Sequence, residues 1–336
     1  MIKIKELVLV VLTSLMFGIT LIGQDPLFPN SVVSNDIDFI LDNDPDTYTD
    51  LNFKGREIKE MPGDPNGGGL FDVGTYVFEA IFSDGERLEI WCHSSFGDQA
   101  AAQEYAAKLG PRLGKLPVFQ RNMMDHIVIH NGNRGAFAEI EGQFFILYSE
   151  NMDQRISTND LEETVFHESV HASYQFMYQD HPDWTSAQAA DPTFVTVYAQ
   201  DNPFVEDIAE SALFAYVYLT YPGRLSSDIE EWLLENIPNR LEFFGAFYSQ
   251  ATSAEDLEEK KKLTISPNPT NNQFTVTGIE KQQRNSLNVL DMHGKILRTV
   301  DCSNLESINI DLSDFNNGLY LFSIEGYPSV RILKFN

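Results

Sequence analysis

One short segment constrains this chain more than any other: residues 167–171, which read HESVH. In an α-helix, residues four apart lie on the same face, so His167 and His171 can direct their imidazoles at one metal ion. Glu168 lies one position along, close enough to reach a water molecule at that metal. Zinc favours this set, because it commonly binds two neutral imidazole nitrogens and one further protein ligand and leaves a position open for water. The segment therefore predicts a zinc site in which His167 and His171 are ligands and Glu168 is the general base.

The surrounding residues predict that this segment lies in the middle of a helix. Asp160 and Glu163 have the spacing of a capping box, so the helix is expected to begin at Asp160. Apolar or small residues then recur on one broad face: Leu161, Val165, Phe166, Val170, Ala172, Ser173, Phe176 and Met177. The alternative interpretation is an amphipathic helix that carries two histidines by coincidence, or a metal site that has decayed.

A third ligand is expected further along the chain. His181 precedes a proline and is interpreted as a loop residue that does not bind the metal. Asn202 can cap a helix that has Pro203 in its first position, and Glu206 and Glu210 then share one face of that helix. Acidic side chains turned toward an apolar interior are costly unless they bind something. Glu206 and Glu210 are therefore the favoured candidates, and a solvated acidic face is the alternative.

The two histidines followed by the pair Glu206 and Glu210 resemble the gluzincin arrangement of zinc peptidases. Residues 197–210 resemble the lethal-factor-type branch of that group. The resemblance implies that Glu206 is the third zinc ligand and that Glu210 orients a ligand histidine. It also implies that Tyr198 hydrogen-bonds the oxyanion, although Tyr198 is one position further from the glutamate than in that branch. A packed aromatic side chain is the alternative for Tyr198.

The residues upstream of the motif alternate as strands do. The predicted strands are Gly74–Phe82, Leu88–His93, Asp125–His130, Ala136–Ile140 and Gln143–Tyr148, and a helix capped by Asp98 is expected to end before Gly110. His126 and His130 are four residues apart, which on a strand is about 13 Å. They cannot share a metal there, and both are predicted to be non-ligands. Strands before such a helix resemble zincins, in which an edge strand can bind a peptide substrate by strand addition.

The first 23 residues have the features of a secretion signal. Lys3 and Lys5 precede the apolar run Leu7–Ile22, which is short of the roughly 20 residues that a membrane span needs. Residues 1–23 are therefore predicted to be a signal peptide, and no stable membrane span is expected.

Composition restricts the possible partners. The net charge is −27, and such an acidic chain repels phosphate backbones, so nucleic-acid binding is not expected. The glycine-rich residues 62–69 lack the lysine and following helix of a phosphate-binding loop, so no nucleotide cofactor is expected. The acidic residues 42–50 can be either the start of a calcium loop or a capped turn. Cys92 and Cys302 are expected to be free, buried thiols.

The C-terminal residues 263–336 change to short strands separated by turns, which indicates a β-sandwich. Segments 265–269 (ISPNP), 290–295 (LDMHGK) and 318–320 (GLY) resemble the C-terminal sorting domain of type IX secretion cargo. The resemblance implies that the type IX secretion machinery is a partner. It also implies a location outside the cell or at its surface, reached through the periplasm and outer membrane. An adhesive module is the alternative.

These features predict an α+β zincin-like catalytic domain over residues 24–256, a linker at 257–262 and a small all-β, Ig-like sandwich over 263–336. The expected function is a secreted zinc-dependent metallopeptidase that acts on a protein or peptide substrate. The alternative is an exported, non-catalytic binding or surface protein on a zincin scaffold. The presence of Glu168 argues against that alternative, because a scaffold without catalysis does not need its carboxylate.

Overall fold

A six-stranded mixed sheet forms the centre of the first part of the chain in the computed structural model. The structure describes residues 25–248, 263–266, 270, 272–279, 281, 286–290, 296–316, 318–324 and 330–334. The signal peptide predicted at residues 1–23 and the linker predicted at 257–262 lie outside these ranges. The described part is α+β over residues 25–248 and rich in β-sheet beyond residue 262.

The sheet has its parallel strands at its centre. Strands β1 to β6 are Tyr48–Glu60, Phe71–Phe82, Arg87–Cys92, His126–His130, Phe137–Glu139 and Phe144–Tyr148. Their order is β1-β2-β3-β4-β6-β5, in which β4 is parallel to both β3 and β6 and the other pairs are antiparallel. β4 is buried along its whole length, as expected for a parallel strand covered on both faces. The two edges are β1 and β5.

Ten α-helices occur in residues 25–248. They are α1 Gln99–Gly114, α2 Val118–Asn122, α3 Ser149–Ser157, α4 Leu161–Val170, α5 Phe176–Tyr178, α6 Pro182–Ala190, α7 Val197–Asp201, α8 Asp207–Thr220, α9 Ser227–Asn236 and α10 Pro238–Tyr248. A π-helical segment, His171–Gln175, joins α4 to α5. Helices α1, α4, α8 and α10 contribute to one large apolar core together with the sheet.

Helix α1 continues beyond its predicted end. Asp98 caps its start as predicted and accepts a hydrogen bond from Ala101 N at 2.9 Å. The helix does not stop before Gly110, however, but continues to Gly114. A Cβ at Gly110 would lie 2.4 Å from a ring carbon of Tyr48. Gly110 is therefore a site of close packing between the helix and β1, not a helix terminator.

Helix α4 begins where it was predicted but without the predicted capping box. The Asp160 side chain makes no capping hydrogen bond and instead accepts from Thr158 Oγ1. Glu163 accepts from the backbone N–H groups of Phe39 and Ile40, at 2.9 and 3.0 Å. The capping-box prediction is wrong because a distant backbone segment provides better donors for Glu163 than the helix N-terminus does.

The C-terminal part is all-β. Strands β7 to β13 are Thr264–Ser266, Gln273–Thr277, Ser286–Leu290, Ile296–Asp301, Ser307–Asp311, Gly318–Ile324 and Val330–Lys334. They form a four-stranded sheet, β10-β9-β12-β13, and a three-stranded sheet, β11-β8-β7. A separate apolar cluster that includes Phe274, Val289 and Phe322 belongs to these strands. Residues 267–269 and 291–295, which contributed to the resemblance, lie outside the described residues.

Three further predictions concern the cysteines, the acidic residues 42–50 and membrane-spanning helices. Cys92 and Cys302 are free and buried, as predicted. In the acidic stretch 42–50, Asp44 forms a bidentate ion pair with Arg224 and accepts from Leu41 N at 2.8 Å, which supports a capped turn rather than a calcium loop. Within the described part of the chain, no helix combines the length and apolar character needed to cross a membrane.

Candidate metal centre

Three donor atoms from His167, His171 and Glu206 form one small triangle. The Nε2 atoms of the two histidines are 3.0 Å apart. Glu206 Oε2 lies 3.3 Å from each of them. Tetrahedral zinc with bonds of about 2.0–2.2 Å separates its ligand atoms by about 3.3 Å. The triangle therefore has the size that a zinc ion requires, and the fourth corner of the tetrahedron is not taken by any of these three side chains.

The two histidines lie where an α-helix changes to a π-helix. His167 is in the last turn of α4, and His171 is the first residue of the π-helical segment. All residues of both elements are buried, so packing fixes the two rings. Single π-helical turns are rare and occur frequently at functional sites. His167 and His171 thus lie one turn apart, as predicted, but the backbone after His171 forms a π-helical turn where an α-helical turn was predicted.

Gln175 fixes the orientation of His171, a contact that the sequence analysis missed. Its side-chain Oε1 is within hydrogen-bond distance of His171 Nδ1, and its amide Nε2 donates to the carbonyl of Val205 at 2.9 Å. Since a carbonyl only accepts, the amide nitrogen must face Val205 and the amide oxygen must face the imidazole. His171 Nδ1 then carries the proton, and Nε2 presents its lone pair to the triangle.

Glu210 lies beside the other histidine. It is fully buried, and its Oε1 is 3.5 Å from His167 Nδ1. His167 Nδ1 has no hydrogen-bond partner among the described residues. Glu210 accepts hydrogen bonds from Thr196 Oγ1 at 2.7 Å, from Val32 N at 3.0 Å and from Ser31 Oγ. Glu210 thus occupies the expected position next to the ring nitrogen that faces away from the triangle. The segment Ser31–Val32 was not foreseen as its support.

Glu206 reaches the triangle from a turn rather than from the body of a helix. The predicted helix start at Asn202 is wrong, because α8 begins at Asp207 and Glu206 occupies its N-cap position. Asp207 is buried and paired with Arg240, at 2.9 Å, which fixes where the first helical turn begins. Glu206 N still bonds to Asn202 O at 2.9 Å. Glu210 N in turn bonds to Glu206 O at 2.9 Å, so the two glutamates lie one helical turn apart, on the same face, as predicted.

The charges of the cluster are strongly coupled. Burial lowers the pKa of His167, but the hydrogen bond to Glu206 and the charge of Glu210 outweigh it and raise that pKa to about 9. Burial raises the pKa of Glu206, yet its hydrogen bonds with both histidines hold that pKa well below its usual range. These opposite shifts favour a protonated His167 next to an ionised Glu206. A cation can replace that proton.

Two further predicted residues lie near the triangle. Glu168 is buried, and burial raises its pKa, although the nearby His167 and His171 oppose that shift. Tyr198, in α7, is 40% exposed. Burial raises its pKa to about 12 with further contributions from the charge of Glu206 and a hydrogen bond to it. Tyr198 therefore remains a protonated donor at neutral pH.

The histidines predicted to be non-ligands do not all behave alike. His126 stacks between Trp91 and Phe144, with ring centroids 3.5 and 4.3 Å away, and His181 caps α6. Neither belongs to a group of potential ligands among the described residues. His130 was predicted to be a non-ligand, but it lies beside His93 and Asp64 in a second group of potential ligands, which does not include His126. That grouping has no signal in the sequence, since His93 and Asp64 are distant from each other and from His130 along the chain.

The comparison with known protein families identifies the C-terminal part. Residues 264–335 match a family described as the secretion system C-terminal sorting domain. No curated protein matches the chain. A type IX sorting domain directs its carrier to the cell surface or the extracellular space and interacts with the secretion machinery, so the predicted location and this predicted partner are confirmed.

Proposed function

We propose that this exported protein is a zinc-dependent metallopeptidase of the gluzincin type. The observation that carries the proposal is the triangle of donor atoms from His167, His171 and Glu206, with sides of 3.0 to 3.3 Å. Two imidazoles and one carboxylate form the ligand set of several catalytic zinc sites, which keep one position open. The residues around the triangle suit a zinc ion, because the hydrogen bonds of Gln175 leave the lone pair of His171 Nε2 directed at the triangle.

Bound zinc would act there as a Lewis acid that polarises the scissile carbonyl and acidifies a water molecule. Glu168 takes a proton from the attacking water and then donates it to the leaving amine. Its raised pKa suits both steps, because a base that is too weak cannot take the proton and one that is too strong cannot release it. Tyr198 donates a hydrogen bond to the oxyanion that develops on the carbonyl.

An extended peptide is the substrate class that the surroundings favour. β5 is an edge strand of the sheet, and it contacts both α4 and the π-helical segment. Its free edge can add a further strand by backbone hydrogen bonds. Phe204 and Val205, which directly precede Glu206, are exposed at 76% and 47%. These apolar side chains can contact the side chains of a peptide bound near the metal.

The variant Glu168→Gln tests this proposal, because it removes the base but leaves the three metal ligands. We expect hydrolysis of a peptide library to fall by about 10²–10⁴-fold while one zinc per site is retained. Glu231→Gln, at an exposed position of α9, is the matched control and should leave both properties unchanged. Wild-type protein that binds zinc but cleaves no peptide would instead support the non-catalytic binding protein.

A further inference from the structure

A second cluster of ligand-type side chains lies at one end of the sheet. His93 directly follows β3 and His130 is the last residue of β4; these strands are parallel, so their carboxyl ends lie at the same edge. Asp64 comes from the loop between β1 and β2. The three side chains offer one ligand atom each, and these atoms all lie within 4.8 Å of one another. None of the three belongs to the His167 centre.

His130 has one ring nitrogen with a free lone pair. It is fully buried, and its Nε2 lies 2.8 Å from the carbonyl oxygen of Pro62. Because a carbonyl only accepts, Nε2 carries the proton and Nδ1 carries the lone pair. Nδ1 is buried and has no hydrogen-bond partner among the described residues. A metal-binding histidine typically donates its other ring N–H to a carbonyl or carboxylate, as His130 does.

His93 faces two carboxylates without forming a hydrogen bond to either. Its Nε2 lies 3.9 Å from Asp64 Oδ2 and 4.0 Å from Asp72 Oδ1, whereas a hydrogen bond of this type needs about 2.7–3.2 Å. Its Nδ1 accepts a hydrogen bond from Ser95 N at 3.1 Å and lies 2.8 Å from Ser95 Oγ, so the neutral ring carries its lone pair on Nδ1 and its proton on Nε2. A metal ion at Nε2 would require the other tautomer, in which Nδ1–H donates to Ser95 Oγ.

Both carboxylates are held in their ionised form. Burial raises the pKa of Asp64, but hydrogen bonds from the backbone of Asn66 and Gly68 outweigh it, and the net pKa is below its usual range. The pKa of Asp72 is lowered against the effect of burial by the hydroxyl and backbone N–H of Ser94. Burial of His130 lowers its pKa and favours the neutral ring. The cluster thus places two carboxylates beside two imidazoles, a mixed oxygen and nitrogen ligand set that suits a divalent transition-metal ion.

We propose that Asp64, His93 and His130 bind a second divalent transition-metal ion, with Asp72 as an adjacent carboxylate. Two imidazoles favour zinc or a related ion over calcium and magnesium, which prefer oxygen ligands. The ion would join the loop between β1 and β2 to the carboxyl ends of β3 and β4. Its role is structural, since it fixes a loop of the sheet.

The test measures zinc in the full chain after equilibration with the same free Zn²⁺ concentration. We expect two zinc ions per wild-type chain, one in His93→Gln and one in the double variant His167→Ala/His171→Ala. Combining all three changes should leave none. His126→Gln is the matched control, because His126 is the other buried histidine of β4 and lies outside the cluster. It should keep both ions.

The double variant also separates this proposal from the proposed function. If the double variant is folded by circular dichroism and binds no zinc, the second site does not exist. His93 is then only a side chain beside Asp64 and Asp72 that binds no metal. If it binds one ion, Zn²⁺ should raise its melting temperature, and His93→Gln should abolish that shift. Loss of the catalytic ion alone leaves this second ion in place, so the two proposals fail independently.

Discussion

At the scale of single residues, the candidate metal centre depends on side chains that orient the ligands. The Gln175 side chain forms hydrogen bonds with His171 and with the carbonyl of Val205. Val205 is the residue before Glu206. One amide therefore connects the segments that carry two of the three ligands. Hydrogen bonds from residues that do not themselves bind the metal determine which ring nitrogen of a ligand histidine holds the proton. Their loss weakens metal binding even when every ligand remains.

We expect Gln175→Ala to weaken zinc binding by about 10–100-fold, because His171 loses the acceptor that fixes its tautomer. Competition with a chelator measures this change. Gln175→Glu keeps an acceptor for His171 Nδ1 and should restore much of the affinity. Gln103→Ala, at an exposed position of α1, is a control for the loss of an amide. Equal affinity in Gln175→Ala and Gln103→Ala would show that Gln175 does not orient the ligand.

At the scale of elements, helix starts are where short-range patterns gave wrong predictions. Asp160 with Glu163, and Asn202 with Pro203, both fit known capping patterns. In the structure, Glu163 binds the backbone at Phe39 and Ile40, and α8 begins only at Asp207. In each case a partner far away in sequence competes with the local cap. The spacing of residues within a helix is less affected by such competition: although His171 begins a π-helical segment, its Nε2 still lies 3.0 Å from that of His167.

Glu163, in α4, makes the free energy of unfolding depend on pH. Burial is the main cause that raises its pKa, to about 7. The folded state then binds a proton more tightly than the unfolded state, so the contribution of Glu163 to stability falls as pH rises from about 4.5 to about 7. The maximum effect is about 3 kcal/mol. Stability at higher pH is lower because the buried carboxylate is charged.

We expect Glu163→Gln to reduce the loss of stability with rising pH, because the amide keeps an acceptor for the backbone N–H groups of Phe39 and Ile40 but does not ionise. Urea unfolding at about pH 5 and about pH 8 measures the difference. The free energy of unfolding should fall less with pH in the variant than in the wild type. Glu231→Gln, which is exposed, should follow the wild type. Parallel pH profiles for Glu163→Gln and the wild type would contradict the assignment.

At the scale of the whole molecule, the chain contains separate units for two tasks. The apolar core of residues 25–248 and that of the C-terminal strands share no residue. The C-terminal strands coincide with the sorting domain matched at residues 264–335, and the candidate metal centre lies entirely in the first unit. Export and the proposed metal binding would therefore depend on different residues.

Deletion of residues 264–336 should stop export across the outer membrane and leave zinc binding intact. The sorting signal is removed, but no residue of the His167 centre or its core is lost. Fractionation of the host culture measures the location, and metal analysis of the retained protein measures the zinc. Full-length Glu168→Gln is the control and should be exported normally. Export of the truncated chain would show that another segment carries the signal.

The sequence by itself determined what depends on short spacing. The shared face of His167 and His171 follows from the period of the helix, and the same four-residue rule relates Glu210 in α8 to Glu206 at its N-cap. Alternation of apolar residues likewise predicted most of the strands, and the ordered motifs of the tail predicted its sorting role.

Only the tertiary structure decided what depends on residues that are distant in sequence. It brought Glu206 to the two histidines, placed Ser31 and Val32 behind Glu210, and moved Glu163 from its predicted cap to the backbone of another segment. It also gathered Asp64, His93 and His130 at one end of the sheet. The physical reason is that parallel strands and packed helices join chain segments whose separation in sequence carries no periodic signal.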